Sequence, residues 1–357
     1  MKGQRLAADV VKSVLELTVV SEPDTLDHFS LTLANMYPKM RWTHSADADV
    51  FLEGSSVTIG MGYVDDLHNL FDGEITSLSP SFPESGIPTM RIEGHTRLHW
   101  LQGTPKTRTF QNMTDKEIAE QIGRDLAESH QTSLDVKADD TDIKHPYVIQ
   151  YNQTDLEFLF ERARRKGFEL FVQDKTLFYS KVRNDRGKLC SFVWGRTART
   201  PDKKQRIFPL LSFYPTMNTL RQVSKVIVRG YDPQSMKEIV GQAGEDAIGT
   251  TMGGRIGPQV AAQALGCRNE EIRVSSPISS QSEAEQLARA IYLDRALDFV
   301  NATGTSIGLP ELKAGCVVNV EGLGRHFNGE YYVTQATHTI SNAGYLTHFT
   351  VRKNSIQ

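Results

Sequence analysis

Few residue groupings in the chain have the spacing that chemistry needs. His95 and His99 stand four apart, the interval at which two imidazoles on one helix face hold a metal. Their context, "RIEGHTRLHW", instead follows a glycine in a strand-like run, which reads as two ordinary histidines. The carboxylate pairs Asp65-Asp66 and Asp139-Asp140 lie in polar, loop-like stretches. Glycosidic chemistry needs two carboxylates converging across a cleft, so these read as solvated loops. "GTTMGGRIG" and "GLGRHFNG" are glycine-rich. Neither has the P-loop lysine, and the second sits in a hairpin-like region with no helix N-terminus to meet a phosphate. No nucleophile-elbow serine, H-E-x-x-H, C-x-x-C or calcium-loop pattern occurs. The sequence therefore offers no catalytic, cofactor-binding or metal-ligating residue, and the expected protein is not an enzyme. In "ERARRKG", Arg162, Arg164, Arg165 and Lys166 spread around the polar side of a helix, with Glu161 and Arg165 at pairing distance. A nucleic-acid stripe would be narrower, so this run reads as a solvated face.

Composition bounds the class. The 357 residues are 39% hydrophobic and 23% charged, with a net charge of −3. That length suits two or three domains, and near-neutrality argues against specific nucleic-acid binding. No apolar run is long enough for a membrane helix, so no membrane insertion is expected. The N-terminal stretch is too polar for a signal peptide. Cys190, Cys267 and Cys316 are widely separated, which fits synthesis in a reducing cytoplasm.

The elements that would position any site fall into three regions. Residues 1–105 read as β, with strands at Val14 to Val20, Phe29 to Leu33, Val57 to Met61 and Thr89 to Ile92 separated by turn residues. Residues 106–185 change texture. Thr114 with Glu117, and Thr154 with Glu157, form capping boxes that open two amphipathic helices. Gly167 is placed to end the second, and Phe168 to Val172 and Leu177 to Tyr179 follow as strands around Asp174-Lys175. Phe158 lies across this helix from Leu156, Phe160 and Ala163, which predicts a second packing surface against another domain or subunit. Residues 186–357 contain a polar connector, "VWGRTARTPDKKQR", a strand at Val223 to Val228 and a glycine-rich loop expected to be mobile. A helix over 282–297, opened by Ser282 and Glu285, precedes three more strands, at Val317 to Val320, Tyr331 to Ile340 and Tyr345 to Val351.

One word occurs twice. Phe71-Asp72-Gly73-Glu74 and Phe327-Asn328-Gly329-Glu330 each stand between strand-like runs, and each leads through a strand, a glycine turn and another strand. Asp-Gly and Asn-Gly suit tight turns at positive φ. The shared context reads as an internal duplication, two related β domains near the two ends of the chain.

Several segments in order resemble the phage late control protein D family. They are "LFDGEITSLSPSFPESGIPTMRIEGH", "RLHWLQGTPKTRTFQNMTDKEIAEQI", "HPYVIQYNQTDLEFLFERARRKGFELFVQDKTLFY" and "LPELKAGCVVNVEGLGRHFNGEYYVTQATHTI" with "YLTHFTVR". The family includes baseplate hubs of contractile tails and the hub part of VgrG spikes. The resemblance implies an α+β, β-rich fold of two tail-tube-like antiparallel β-barrel domains with an inserted small α/β unit. It implies a homotrimer joining a six-fold tail tube to a three-fold spike, assembled into the baseplate of a phage tail or tail-like particle. The partners implied are the tube protein, other baseplate components and a separate spike, since the chain stops where VgrG would continue into its needle. Two other readings remain: a particle-borne peptidoglycan hydrolase and the tail tube protein itself.

Overall fold

The computed structural model describes residues 5–34, 51–63, 66–195, 206–232, 235–266, 269–274 and 278–357. After a short helix, α1 (Ala8–Lys12), come β1 (Val14–Ser21), β2 (His28–Ala34), β3 (Ser56–Tyr63), β4 (Asp66–Ser81) and β5 (Thr89–Thr96). They lie in the order β1-β2-β5-β4-β3, every pair antiparallel. Alternation sends Phe29, Leu31, Phe71, Ile75 and Ile92 to one face, where Val10 of α1 and Phe51 complete the core. At about 25 cal/mol per Å², burying such side chains is the main favourable term.

The inserted unit follows as expected: β6 (Lys106–Thr114), α2 (Asp115–Ser129), β7 (Asp135–Ala138), β8 (Lys144–Gln153), α3 (Asp155–Lys166), β9 (Phe168–Gln173) and β10 (Thr176–Lys181). Both capping boxes form in both directions, and Gly167 ends α3 at φ 66°. The β6–β8 ribbon and the β7-β10-β9 sheet sandwich the two helices. Here Phe158 corrects its expectation. It is 2% exposed and stacks on Phe110 of β6, ring centroids 5.6 Å apart. The second side of α3 is covered by the unit's own ribbon, which leaves no surface there for another subunit.

The rest of the chain supplies β11 (Ser191–Val193), β12 (Ile207–Met217), β13 (Lys225–Asp232), β14 (Lys237–Gly244), β15 (Arg255–Ile256), α4 (Gly257–Leu265), β16 (Glu270–Arg273) and α5 (Gln281–Leu297). It ends with β17 (Val300–Ile307), β18 (Val317–Glu321), β19 (Gly329–Ser341), β20 (Gly344–Lys353) and β21 (Ser355–Ile356). β18-β11-β12-β17-β20-β19 closes into a six-stranded barrel because β18 also pairs with β19. Its pairing is antiparallel except for the short β11, parallel to both neighbours. Two expectations fail here. The two ends of the glycine-rich stretch are built into β14, β15 and α4, residues 248–254 between them are irregular, and a Cβ on Gly241 would lie 2.1 Å from the Ala284 backbone, so glycine there serves close packing against α5. The cap of α5 is Ser280 with Glu283, two residues before the expected pair. Of the polar connector, residues 196–205 lie outside the described residues.

β12, β17, β18, β19 and β20 repeat the plan of β1 to β5. Their order is β12-β17-β20-β19-β18, again antiparallel throughout. The irregularities repeat too. β1 bulges between Val14 and Glu16, and β12 between Leu210 and Ser212. β4 bulges between Ile75 and Ser77, and β19 between Val333 and Gln335. Ile75 exchanges backbone bonds with Gly54 and Ser55, as Val333 does with Gly315 and Cys316. Matching the ladders pairs Thr76 with Thr334, Gly73 with Tyr331 and Phe71 with Gly329. The duplication is in the topology, and the repeated word stands two residues out of its register.

The two units join in one 11-stranded sheet. Below its bulge β19 pairs with β18, and above it with β1, from Ala336↔Ser21 to Ser341↔Glu16. The inserted unit leaves the sheet after β5, and the β13-to-α5 subdomain leaves after β12, from the same rim. The β4–β5 and β19–β20 hairpins stand at the opposite rim.

Candidate assembly surfaces

The repeated word does different work in its two places. Phe71 is core, edge-on to Phe29 at 5.0 Å. Asp72 accepts from Thr58 Oγ1 at 3.2 Å and pairs with Arg97. Gly73 lies inside β4, where a Cβ would meet the His95 carbonyl at 2.2 Å, and Glu74 accepts from Trp100 Nε1 at 3.0 Å. The turn expected at this copy is therefore a mid-strand segment. In the second copy, Phe327 and Asn328 do form a turn, whose Asn328 side chain accepts from the Leu323 N–H at 2.7 Å. Gly329, at φ 117°, and the exposed Glu330 start β19.

Charged residues tie the elements together, among them Arg162, Arg165 and Lys166, which the sequence reading left solvated. Arg97 reaches from the first unit to the Asp174 carbonyl at 3.0 Å. Asp115, at 1% exposure, accepts from Arg162 Nε at 2.6 Å and Lys166 Nζ at 2.8 Å. His145 Nε2 lies 3.1 Å from Asp115 and 2.8 Å from Arg162, and serves one of them at a time. Burial opposes ionisation of Asp115, but His145 and the two cations outweigh it and hold the carboxyl below its ordinary range. Lys166 also donates to Gln286, and Arg165 pairs with Glu283 at 2.8 Å rather than with Glu161, fastening α3 to α5. Arg162 and Lys166 are thus buried. A helical wheel could not reveal this, because their partners come from α2, β8 and α5. Glu169 of β9 accepts from the Tyr332 hydroxyl of the barrel, and burial pushes its carboxyl up to about 7.

A cleft of about 1200 Å³ separates the inserted unit, α5 and the barrel. Eight Lys and Arg line it against five Asp and Glu, with Arg164 facing Asp24 at 3.6 Å and Arg352 facing Asp294 at 3.2 Å. Among the described residues its lining holds no serine, cysteine or histidine, and the Tyr332 hydroxyl within it is bonded to Glu169. His95 and His99 sit with ring centroids 6.5 Å apart, bonded to Thr76 and to the Thr96 carbonyl. Asp140 is an exposed partner of Lys116, Asp139 bonds the Lys181 N–H, and Asp65 lies outside the described residues. Among the described residues no cluster of three His, Cys, Asp or Glu could hold a metal, and no helix is long and apolar enough to cross a membrane.

The long sheet turns one face outward. Its cross-strand rows are hydroxyl-rich: Tyr214–Thr303–Thr350–Gln335, Thr305–His348–Thr337 and Thr339–Thr18–Ser30–Glu93. The Arg91–Glu93 pair at 2.7 Å balances charge within it. Large exposed apolar side chains are spread over the molecule: Tyr214 and Met217 on β12 and Phe82 and Ile87 at the β4–β5 hairpin, but also Tyr147, Ile149 and Tyr151 on β8 and Ile272 on β16.

This architecture has solved counterparts. The 43 kDa tail protein of prophage MuSo2 from Shewanella oneidensis is 14% identical, covers 95% of this chain and 93% of its own, and superposes with a TM-score of 0.68. A tail protein from Neisseria meningitidis MC58 is 13% identical, with 95% and 92% coverage and a TM-score of 0.67. An E. coli component of the type VI secretion system, described as similar to the T4 tail proteins gp27 and gp5, is 13% identical. It covers 96% of this chain and 74% of its own, with a TM-score of 0.58. No curated protein sequence matches. The fold is that of these phage tail proteins and the type VI secretion component. The family model described as the Alg8 N-terminal domain matches residues 1–342, and the chain belongs to that family.

Proposed function

We propose that the chain is a non-enzymatic baseplate hub, a ring of three copies joining a six-fold tail tube to a three-fold spike in a contractile tail-like particle. The duplication carries this reading. Three copies present six topologically equivalent sheets, and six are what a six-fold partner needs. The two rims differ accordingly. The hairpin rim repeats twice per chain, at β4–β5 and β19–β20. The opposite rim carries two unlike insertions and repeats once per chain, which suits a three-fold spike. A hydroxyl-rich, charge-balanced sheet face suits the wall of a water-filled passage. A tail tube protein needs one such sheet per chain, so two per chain favour the hub.

Mass photometry of the purified chain with its tube and spike proteins tests this. Trimers that hold both partners are expected, and a monomer that captures neither refutes it. Clearing of peptidoglycan by the isolated chain would favour the hydrolase reading.

A further inference from the structure

Within one chain one strand seam joins the two units, β1 against the upper part of β19, and side chains add to it where Tyr63 bonds the Gly308 carbonyl and Lys313 the Asn69 carbonyl. Matching ladders gives each seam strand a counterpart in the other unit: β12 for β1, and β4 above Thr76 for upper β19. Neither counterpart has a partner on that edge among the described residues. β12 pairs with β17, and with β11 only as far as Pro209. β4 pairs with β5, and with β3 only as far as Glu74.

We propose that these two edges pair with each other between copies, β4 of one chain against β12 of the next, in the register of the internal seam. The occupant, a second copy, rests on the hub reading; the register comes from the repeat. Thr18↔Thr339 becomes Tyr214↔Ser81, Val20↔Thr337 becomes Thr216↔Ser79, and Ser21↔Ala336 becomes Met217↔Leu78. Leu211, Tyr214 and Met217 of β12 and Phe82 just beyond β4 are exposed apolar residues at these edges, where pairing would cover them. The contact is head-to-tail, so it closes a ring at three copies if the unit-to-unit rotation is about 60°.

The repeat also predicts a defect. Val333 bonds across to Cys316 and Gly315, and strand alternation beyond the bulge then turns the backbone of His338 toward Val19. The counterparts of His338 and Val19 are Pro80 and Pro215. Both prolines therefore face the free edge, where they cost the isolated chain no ladder bond. They oppose each other in the new seam and leave that pair without hydrogen bonds. The seam between copies is thus the weaker of two otherwise similar seams.

Cysteines at Ser79 and Thr216 occupy a pair whose backbone groups point away from the seam, where cross-strand Cβ atoms lie about 4.5–5.5 Å apart. Oxidation of the S79C/T216C chain should give covalent multimers, and neither single variant nor T58C/T216C, which probes the β3 edge, should. Multimers ending at three copies support both seam and hub. Multimers without a ceiling support the seam and overturn the hub ring. Trimers by mass photometry without this cross-link overturn the seam and leave the hub. As a second readout, Pro80→His with Pro215→Val restores the residues of the internal seam. The two regained bonds should lower the concentration for half-assembly about tenfold, and no shift would refute the proline argument.

Discussion

Replacing Asp115 with alanine would leave two buried cations facing each other without their anion. Arg162 and Lys166 lie 2.6 and 2.8 Å from its oxygens, and the side chains of Lys166 and Asp115 are 2% and 1% exposed. Each contact is worth about 6 kcal/mol by Coulomb's law at an effective dielectric of 20. Much of that offsets the desolvation of the three ions, so the whole sum is not recoverable. Removing one partner of a buried pair costs about 3–5 kcal/mol, and Gln286 still bonds Lys166. The expected loss is about 4 kcal/mol, concentrated in the inserted unit. Urea unfolding followed by circular dichroism measures the size, and hydrogen exchange on α2 and α3 the location. Asp115→Asn keeps the shape and one acceptor, and should lose about half as much. Because the folded carboxyl titrates below its unfolded value of 3.8, its contribution is present above that pH and fades as pH falls through the acid range. A loss below about 1 kcal/mol for the alanine variant, or one spread evenly over the chain, would refute the claim that this cluster holds the unit together.

Glu169 has the opposite sign. Its carboxyl is raised from 4.5 to about 7, so its contribution is full below pH 4.5 and is lost as pH rises through 7. Glu169→Gln should raise stability at pH 8 by about 2 kcal/mol, discounted for the adjoining cleft, and flatten thermal melts between pH 5 and 8. Gly241→Ala drives a Cβ into the Ala284 backbone and should cost about 3 kcal/mol in denaturant titrations, loosening α5 from β14. Phe158→Ala should cost about 3–5 kcal/mol by the same titration while leaving oligomer mass unchanged, since its ring is spent on Phe110.

Much of the fold was legible because local physics dictated it. The capping boxes at Thr114 and Thr154, the αL glycine at 167 and the strand alternation of β1, β2, β19 and β20 are short-range signals that tertiary packing did not override. At α5 a rival serine two residues earlier made the cap, a choice that propensity alone does not rank. The burial of Arg162, Lys166 and Phe158 was not legible, because it depends on partners that chain proximity does not name. The duplication was legible for a reason only half right. Its context, strand to turn to strand, belongs to the repeated unit. Its word does not, since Phe71 matches Gly329, and two residues of drift preserve which side chains face the core.

The bulge at Thr334 has a consequence beyond local geometry. One extra residue exchanges which positions of β19 point inward, so a single strand can follow one partner's pleat below it and another's above it. Removing that residue would join Val333↔Val351 to Gln335↔Thr350 in regular alternation, with Ala336 and His338 still facing inward, and would take away the local bend and twist that the bulge adds. The barrel and its neighbour are therefore not two modules joined by a tether. They share one strand, whose partner on one edge changes at Thr334 from β18 to β1 within a single sheet, and any hinge between them would have to break a continuous ladder. Force applied along one unit reaches the other through backbone hydrogen bonds rather than through a linker.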